Sequence, residues 1–159
     1  MFSDNGLAVL KELEGSEALP YQDSAGLWTI GVGHLLTKSE LLSGKIRLSS
    51  FGLVEYGREP WPDEWVKTLL HDDLAGVETA IRRQVDVRLS QAQYDALCCW
   101  VFNVGVAAFA ASTLLKRLNF YRYAEVPEQM RRWVYAGGKV IGGLKNRRER
   151  EAMMWDGHY

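Results

Sequence analysis

The sequence predicts an α+β protein in which a small hairpin-bearing segment is set into a mostly helical chain. Three observations carry that prediction. The 159 residues are 47% hydrophobic and 25% charged, which suits one compact domain with a sizeable core. Two runs of strand-like alternation, 17–22 and 27–34, flank the turn residues Asp-Ser-Ala-Gly. Most of the remaining long segments repeat their apolar residues at helical spacing.

Taken in order, a first helix is expected over 5–14, with Ser3, Asp4 or Asn5 as its cap, Leu7, Leu10 and Leu13 on one face and Gly15 as its stop. In the hairpin, Asp23 and Ser24 favour a tight turn and Gly26 suits the positive φ of a bulge. A three-residue Ser-Ala-Gly loop then pairs Asp23 with Leu27 and Tyr21 with Thr29. Pleating sets Tyr21, Asp23, Leu27, Thr29, Gly31 and Gly33 on one face, where the two glycines leave an open floor. The signal weakens over 38–62: SELLSGK looks helical, KIRLS alternates like a strand, and GREPWPDEW is a break. Helices are expected at 63–85, 90–104 with Ser90 as cap, 112–119, a short piece around 127–134, and 146–155. No repeat, low-complexity tract or long linker interrupts the chain, which points to a single domain without an appended module.

No window reaches the roughly 18 apolar residues of a membrane span, and the N-terminal MFSDNGLAVLKELEG carries acids where a signal peptide needs basic residues and an apolar run. Synthesis in the cytoplasm is therefore expected. The only cysteines, Cys98 and Cys99, are adjacent in a helical run, an arrangement that favours buried reduced thiols over a bridge or a thiolate metal site. His34, His71 and His158 are widely separated and form no metal motif. Net charge is −1, but unevenly spread: residues 1–115 hold 9 Lys/Arg against 15 Asp/Glu, a net of −6, and 116–159 hold 10 against 5, a net of +5. The basic end suits either a polyanionic partner or an ordinary solvated helical surface.

The helix-to-hairpin stretch EGSEALPYQDSAGLWTIGVGH, 14–34, carries the chemistry. At about 100° per residue, Glu14 falls beside Leu7, Leu10 and Leu13, whereas Glu12 faces away. A carboxylate at a helix C-terminus, against the negative dipole end and apolar surface, resists ionisation, as a general acid must. The same pattern fits a partly buried Glu paired with an arginine, and Asp23 also fits an ordinary turn-opening Asp. An acid held protonated, a second carboxylate across a gap and a hydroxyl able to orient water are together the parts of glycoside hydrolysis.

Glu14, eight residues, Asp23, five residues, Thr29 and then IGVGH resemble the catalytic signature of the phage-type lysozymes, glycoside hydrolase family 24. The resemblance continues through GHLLTKS at 33–39, LSQAQYDAL and FNVG within 89–105, STLLKRLN at 112–119 and RWVYAGGKVIGGLKNRRERE at 132–151, and so covers nearly the whole chain. It is weakest over 40–62, and Lys145 stands where an apolar residue is expected before NRR. It implies a lysozyme-like fold in one catalytic domain, with a small lobe of about 15–62, a helical lobe of 1–14 plus 63–159, and a cleft between them. It further implies an endolysin-like muramidase that hydrolyses the β-1,4 bond from N-acetylmuramic acid to N-acetylglucosamine in bacterial peptidoglycan, without metal or organic cofactor. Glu14 would be the general acid, Asp23 the base or charge-stabilising carboxylate, and Thr29 the holder of the attacking water. The family's inverting stereochemistry implies carboxyls about 6.5 to 9.5 Å apart.

By the same resemblance Arg147 would pair with Glu14, Asn103 and Trp133 would support the site, and His34 would form a structural pair with Asp73 or with Asp72. Core packing is the other reading of Trp133. The expected protein is a monomer that acts on the wall after release through a holin or a secretion apparatus, with no stable membrane insertion and no nucleic-acid partner. Three other functions fit these residues less well. A lytic transglycosylase has no use for Asp23 and Thr29; a catalytically dead wall-binding module does not need the triad; a nucleic-acid binder conflicts with the acidic residues facing the groove.

Overall fold

The structure, a computed structural model, describes residues 1–23 and 26–159. It is α+β, with eight α-helices and seven short strands among the described residues. By compactness the chain divides into two units, Lys11–Ala75 and Met1–Leu10 with Gly76–Tyr159, and helices α1 (Asp4–Glu14) and α3 (Asp63–Gln84) each contribute to both.

The Lys11–Ala75 unit holds all the larger sheet structure. Strand β1 (Glu17–Gln22) pairs antiparallel with β2 (Trp28–Gly31), Tyr21 opposite Thr29 as the turn residues predict. Ser24 and Ala25 of the expected Ser-Ala-Gly loop lie outside the described residues. The register shifts between Glu17 and Tyr21, where Pro20 has no N–H to give to a ladder. The expected second arm, 27–34, is not one strand. It ends at Gly31, turns through Val32 and Gly33 with φ of 66° at Gly31 and 72° at Gly33, and returns as β3 (His34–Leu35), which pairs Ile30 with His34. Strand alternation therefore runs on from Thr29 only as far as Gly31, and Gly33 lies in the turn that follows. A Cβ on Gly31 would meet Leu69 Cδ2 at 3.4 Å, ordinary packing against α3.

The weakly patterned stretch is ordered by local chemistry. Helix α2 (Lys38–Ser43) buries no residue; it opens on a capping box between Thr37 and Glu40 and closes on Gly44 with φ of 65°. Strands β4 (Lys45–Leu48) and β5 (Gly52–Glu55) form a separate hairpin. Ile30, Val32, Leu36, Ile46, Leu48, Val54 and Trp61 join Val66, Leu69, Leu70 and Leu74 of α3 as the buried apolar residues of this unit.

In the other unit α4 (Gln91–Val104) is the central helix. It is capped by Ser90, its stretch from Asp95 to Val101 is buried on every side, and it packs against α8 (Gly142–Trp155). Around them lie α5 (Val106–Ala111), α6 (Thr113–Asn119) capped by Ser112, a 3₁₀ turn at Tyr123–Glu125, and α7 (Val126–Arg131). Strands β6 (Tyr135–Ala136) and β7 (Lys139–Val140) make a short hairpin whose turn glycines, Gly137 and Gly138, both have positive φ. The buried Asp95 accepts bonds from Ser3 N, Ser3 Oγ, Gln91 Nε2 and Tyr159 Oη, so residues from both ends of the chain meet on α4. Cys98 and Cys99 are buried and reduced; burial first, then the charges of Glu78 and Glu151, push the two thiols far above their ordinary range.

Candidate active site

Glu14 is the last residue of α1. The helix stops there because Gly15 takes a left-handed φ of 76° and gives its N–H to Lys11 O at 2.9 Å. Glu12 is exposed while Glu14 is half-buried, as the wheel predicts. The Glu14 carboxyl lies against Gly33: a Cβ on Gly33 would stand 2.9 Å from Oε2 and 3.2 Å from Cδ. No side chain at Gly33 fills the space beside the Glu14 carboxyl.

Asp23 and Thr29 are held by the same peptide. The Asp23 N–H donates to Leu27 O at 2.9 Å, Asp23 Oδ1 accepts Leu27 N–H at 2.8 Å, and the Thr29 hydroxyl donates to Leu27 O at 3.2 Å. Asp23 thus closes the turn and also presents its carboxylate, with Thr29, only 4% exposed, two residues beyond the shared peptide. Tyr21, opposite Thr29, was not singled out as a site residue by sequence reasoning. Burial first, then the charges of Glu14, Glu17 and Asp23, hold its phenol above the usual range, so it remains a neutral donor in the field of both acids. Its cross-strand pairing with Thr29 was the available signal.

Beside this group, His34 Nδ1 lies 2.9 and 3.0 Å from the Asp73 carboxylate oxygens, and Nε2 lies 3.4 Å from Glu40 Oε2. Asp72 instead accepts Ser49 N–H at 2.9 Å. Burial pulls the imidazole's pKa down, but the bond to Asp73 and the charges of Asp73 and Glu40 outweigh it and leave the pKa raised. Glu40 is the counterpart: burial raises it, but Thr37 N–H and hydroxyl together with His34 leave it lowered.

Asn103, Trp133 and Arg147 lie in the other unit. Asn103 Oδ1 accepts a bond from Arg148, Trp133 packs edge-on against the buried Trp100 with ring centroids 5.2 Å apart, and buried Arg147 donates to Glu151 Oε1 at 2.9 Å and to Cys99 O at 3.3 Å. Trp133 keeps 37% of its surface exposed, so it is not simply a core indole. No group of three His, Cys, Asp or Glu able to hold a metal ion occurs among the described residues.

The family model described as phage lysozyme matches residues 11–151, which takes in the whole Glu14–Asp23–Thr29 segment and reaches Glu151. This chain belongs to the phage lysozyme family. It is 40% identical over 147 residues to the SAR-endolysin of Escherichia phage Mu, an alignment covering 92% of this chain and 76% of the relative. The solved endolysin from Escherichia coli O157:H7 phage FAHEc1 superposes with a TM-score of 0.82 at 30% identity, covering 100% of this chain and 96% of that one. The muramidase domain of SpmX from Asticaccaulis excentricus superposes at 0.77 with 29% identity, covering 98% and 97%. The predicted lysozyme-like α+β fold thus holds.

Proposed function

We propose that this phage lysozyme family member is a muramidase of the endolysin kind, cleaving the β-1,4 bond from N-acetylmuramic acid to N-acetylglucosamine in bacterial peptidoglycan. The observation that carries the reading is one folded corner: Glu14 at the end of α1, with Asp23 and Thr29 both held on the Leu27 peptide. In the proposed mechanism Glu14 protonates the leaving glycosidic oxygen. Asp23 acts as base or charge-stabilising carboxylate, and Thr29 orients the attacking water, with inversion at the anomeric carbon. Tyr21 stays protonated and supplies a neutral hydroxyl beside the two acids. Asn103, Trp133 and Arg147 support the site, and the His34–Asp73 bond fixes the start of β3 next to Gly33.

Glu14→Gln lowers wall lysis by about 100- to 10 000-fold with unchanged thermal melting, and Asp23→Asn does much the same. Clearing of a wall suspension and mass analysis of the released muropeptides measure this. Full lysis by the Glu14 variant would remove the acid assignment. Anhydromuramic ends in place of reducing sugars would replace hydrolysis by transglycosylation.

For partner and place, no described helix is long and apolar enough to cross a membrane. We propose a monomer made in the host cytoplasm that reaches the wall through a holin or a secretion apparatus. Sedimentation, and lysis timing with and without a holin, test these points.

A further inference from the structure

We propose that Gly33 is a positioning residue for the Glu14 carboxyl, its missing side chain being the space in which the acid is held. The inference rests on the reading of Glu14 as general acid, and deepens it. Two independent features of Gly33 meet at this point. Its φ of 72° is a conformation that L side chains rarely adopt. Its absent Cβ also leaves free the space in which Glu14 lies, since that atom would stand 2.9 Å from Oε2, 3.2 Å from Cδ and 3.5 Å from Cγ. What such a Cβ meets is not backbone or packed core but the far end of a flexible side chain. The fold accommodates it at small cost, by swinging the carboxyl aside. Catalysis does not, because displacing a reacting group by about 1 Å costs on the order of 100-fold in rate.

Other glycines of the same unit supply a matched control. Gly52 has φ of 75°, and a Cβ there meets nothing within 4 Å. Gly52→Ala therefore imposes the same backbone strain with no contact to any side chain. Asn tolerates the left-handed region better than Ala, so Gly33→Asn keeps the Cβ while easing the strain.

The test compares Gly33→Ala, Gly33→Asn and Gly52→Ala with the wild type, in the full chain and well below each melting temperature. Gly33→Ala is expected to melt like Gly52→Ala or slightly below it and Gly33→Asn like it or slightly above, and both to lose kcat by about 10- to 100-fold on a soluble peptidoglycan fragment, with KM within about twofold. Gly52→Ala keeps wild-type kcat. In a Glu14→Gln background, Gly33→Ala lowers the residual rate no further, because the group it displaces no longer donates a proton. Wild-type kcat in the Gly33 variants alongside an inactive Glu14→Gln would overturn the positioning role and leave the acid standing. Failure of both Gly33 variants to fold would overturn it as well, since that role depends on a carboxylate that moves at little cost. An active Glu14→Gln would instead remove the reading beneath it.

Discussion

At the scale of single residues, the pair that joins β3 to α3 makes stability depend on pH in a defined direction. Between the ordinary value of 6.5 and its raised folded value, His34 keeps its proton in the folded protein and loses it in the unfolded chain. Stability therefore falls as pH rises through that interval and is fully present below it. Glu40 has the opposite sign: its contribution is present above the ordinary 4.5 and fades as pH falls toward its lowered value. The node is strongest between about 4.5 and 6.5. We expect Asp73→Asn to cost about 2 kcal/mol near pH 6, and less as pH rises. Urea unfolding across a pH series measures both the loss and its slope. Among the proposed site residues, the half-buried position of Glu14 is legible in the sequence because helical periodicity separates it from the exposed Glu12. Asp23 and Thr29 are legible because the turn fixes their register. The turn at Val32 and Gly33 is not legible, because pleat counting assumes a continuous strand through to His34.

At the scale of elements, the difference between what was legible and what was not follows capping and length. Helices α4 and α6 begin where Ser90 and Ser112 announce them, and both serines accept a backbone N–H three residues on. Helix α5 is six residues without a side-chain cap, too short to display a period. Helix α8 begins at Gly142, earlier than the expected 146, because two glycines in its first turn read as a break. Its buried face is also hard to read, since Arg147, Arg148 and Glu151 share it with the apolar Ala152, Met154 and Trp155. Helix α2 is the extreme case. With no buried residue, it is held by its ends, so Thr37→Ala removes both the cap and one of the bonds on Glu40. A loss of about 1 kcal/mol is expected. It is read as faster hydrogen exchange at Leu41 and Gly44, whose amides bond to Thr37 O and Glu40 O.

At the scale of the whole molecule, the fold class was legible because the hairpin signal and the helical periods are each strong on their own, whereas the weakly patterned 38–62 stretch is ordered by a capping box and a separate hairpin. What no periodicity could announce is the role of Asp95, an acid wholly buried in the middle of an apolar helix. Removing it leaves donors from Ser3, Gln91 and Tyr159 without their acceptor. Asp95→Ala is expected to destabilise the Gly76–Tyr159 unit by about 3 kcal/mol, and the protein contains its own means of reading that loss. Cys98 and Cys99 follow Asp95 on the same helix, sealed from solvent and held as thiols, the unreactive form. A maleimide can reach them only while the helices around them are apart. The rate at which they are alkylated is thus a stopwatch for opening of that unit, slow in the native protein and faster in Asp95→Ala, with no added label and no change to the chain.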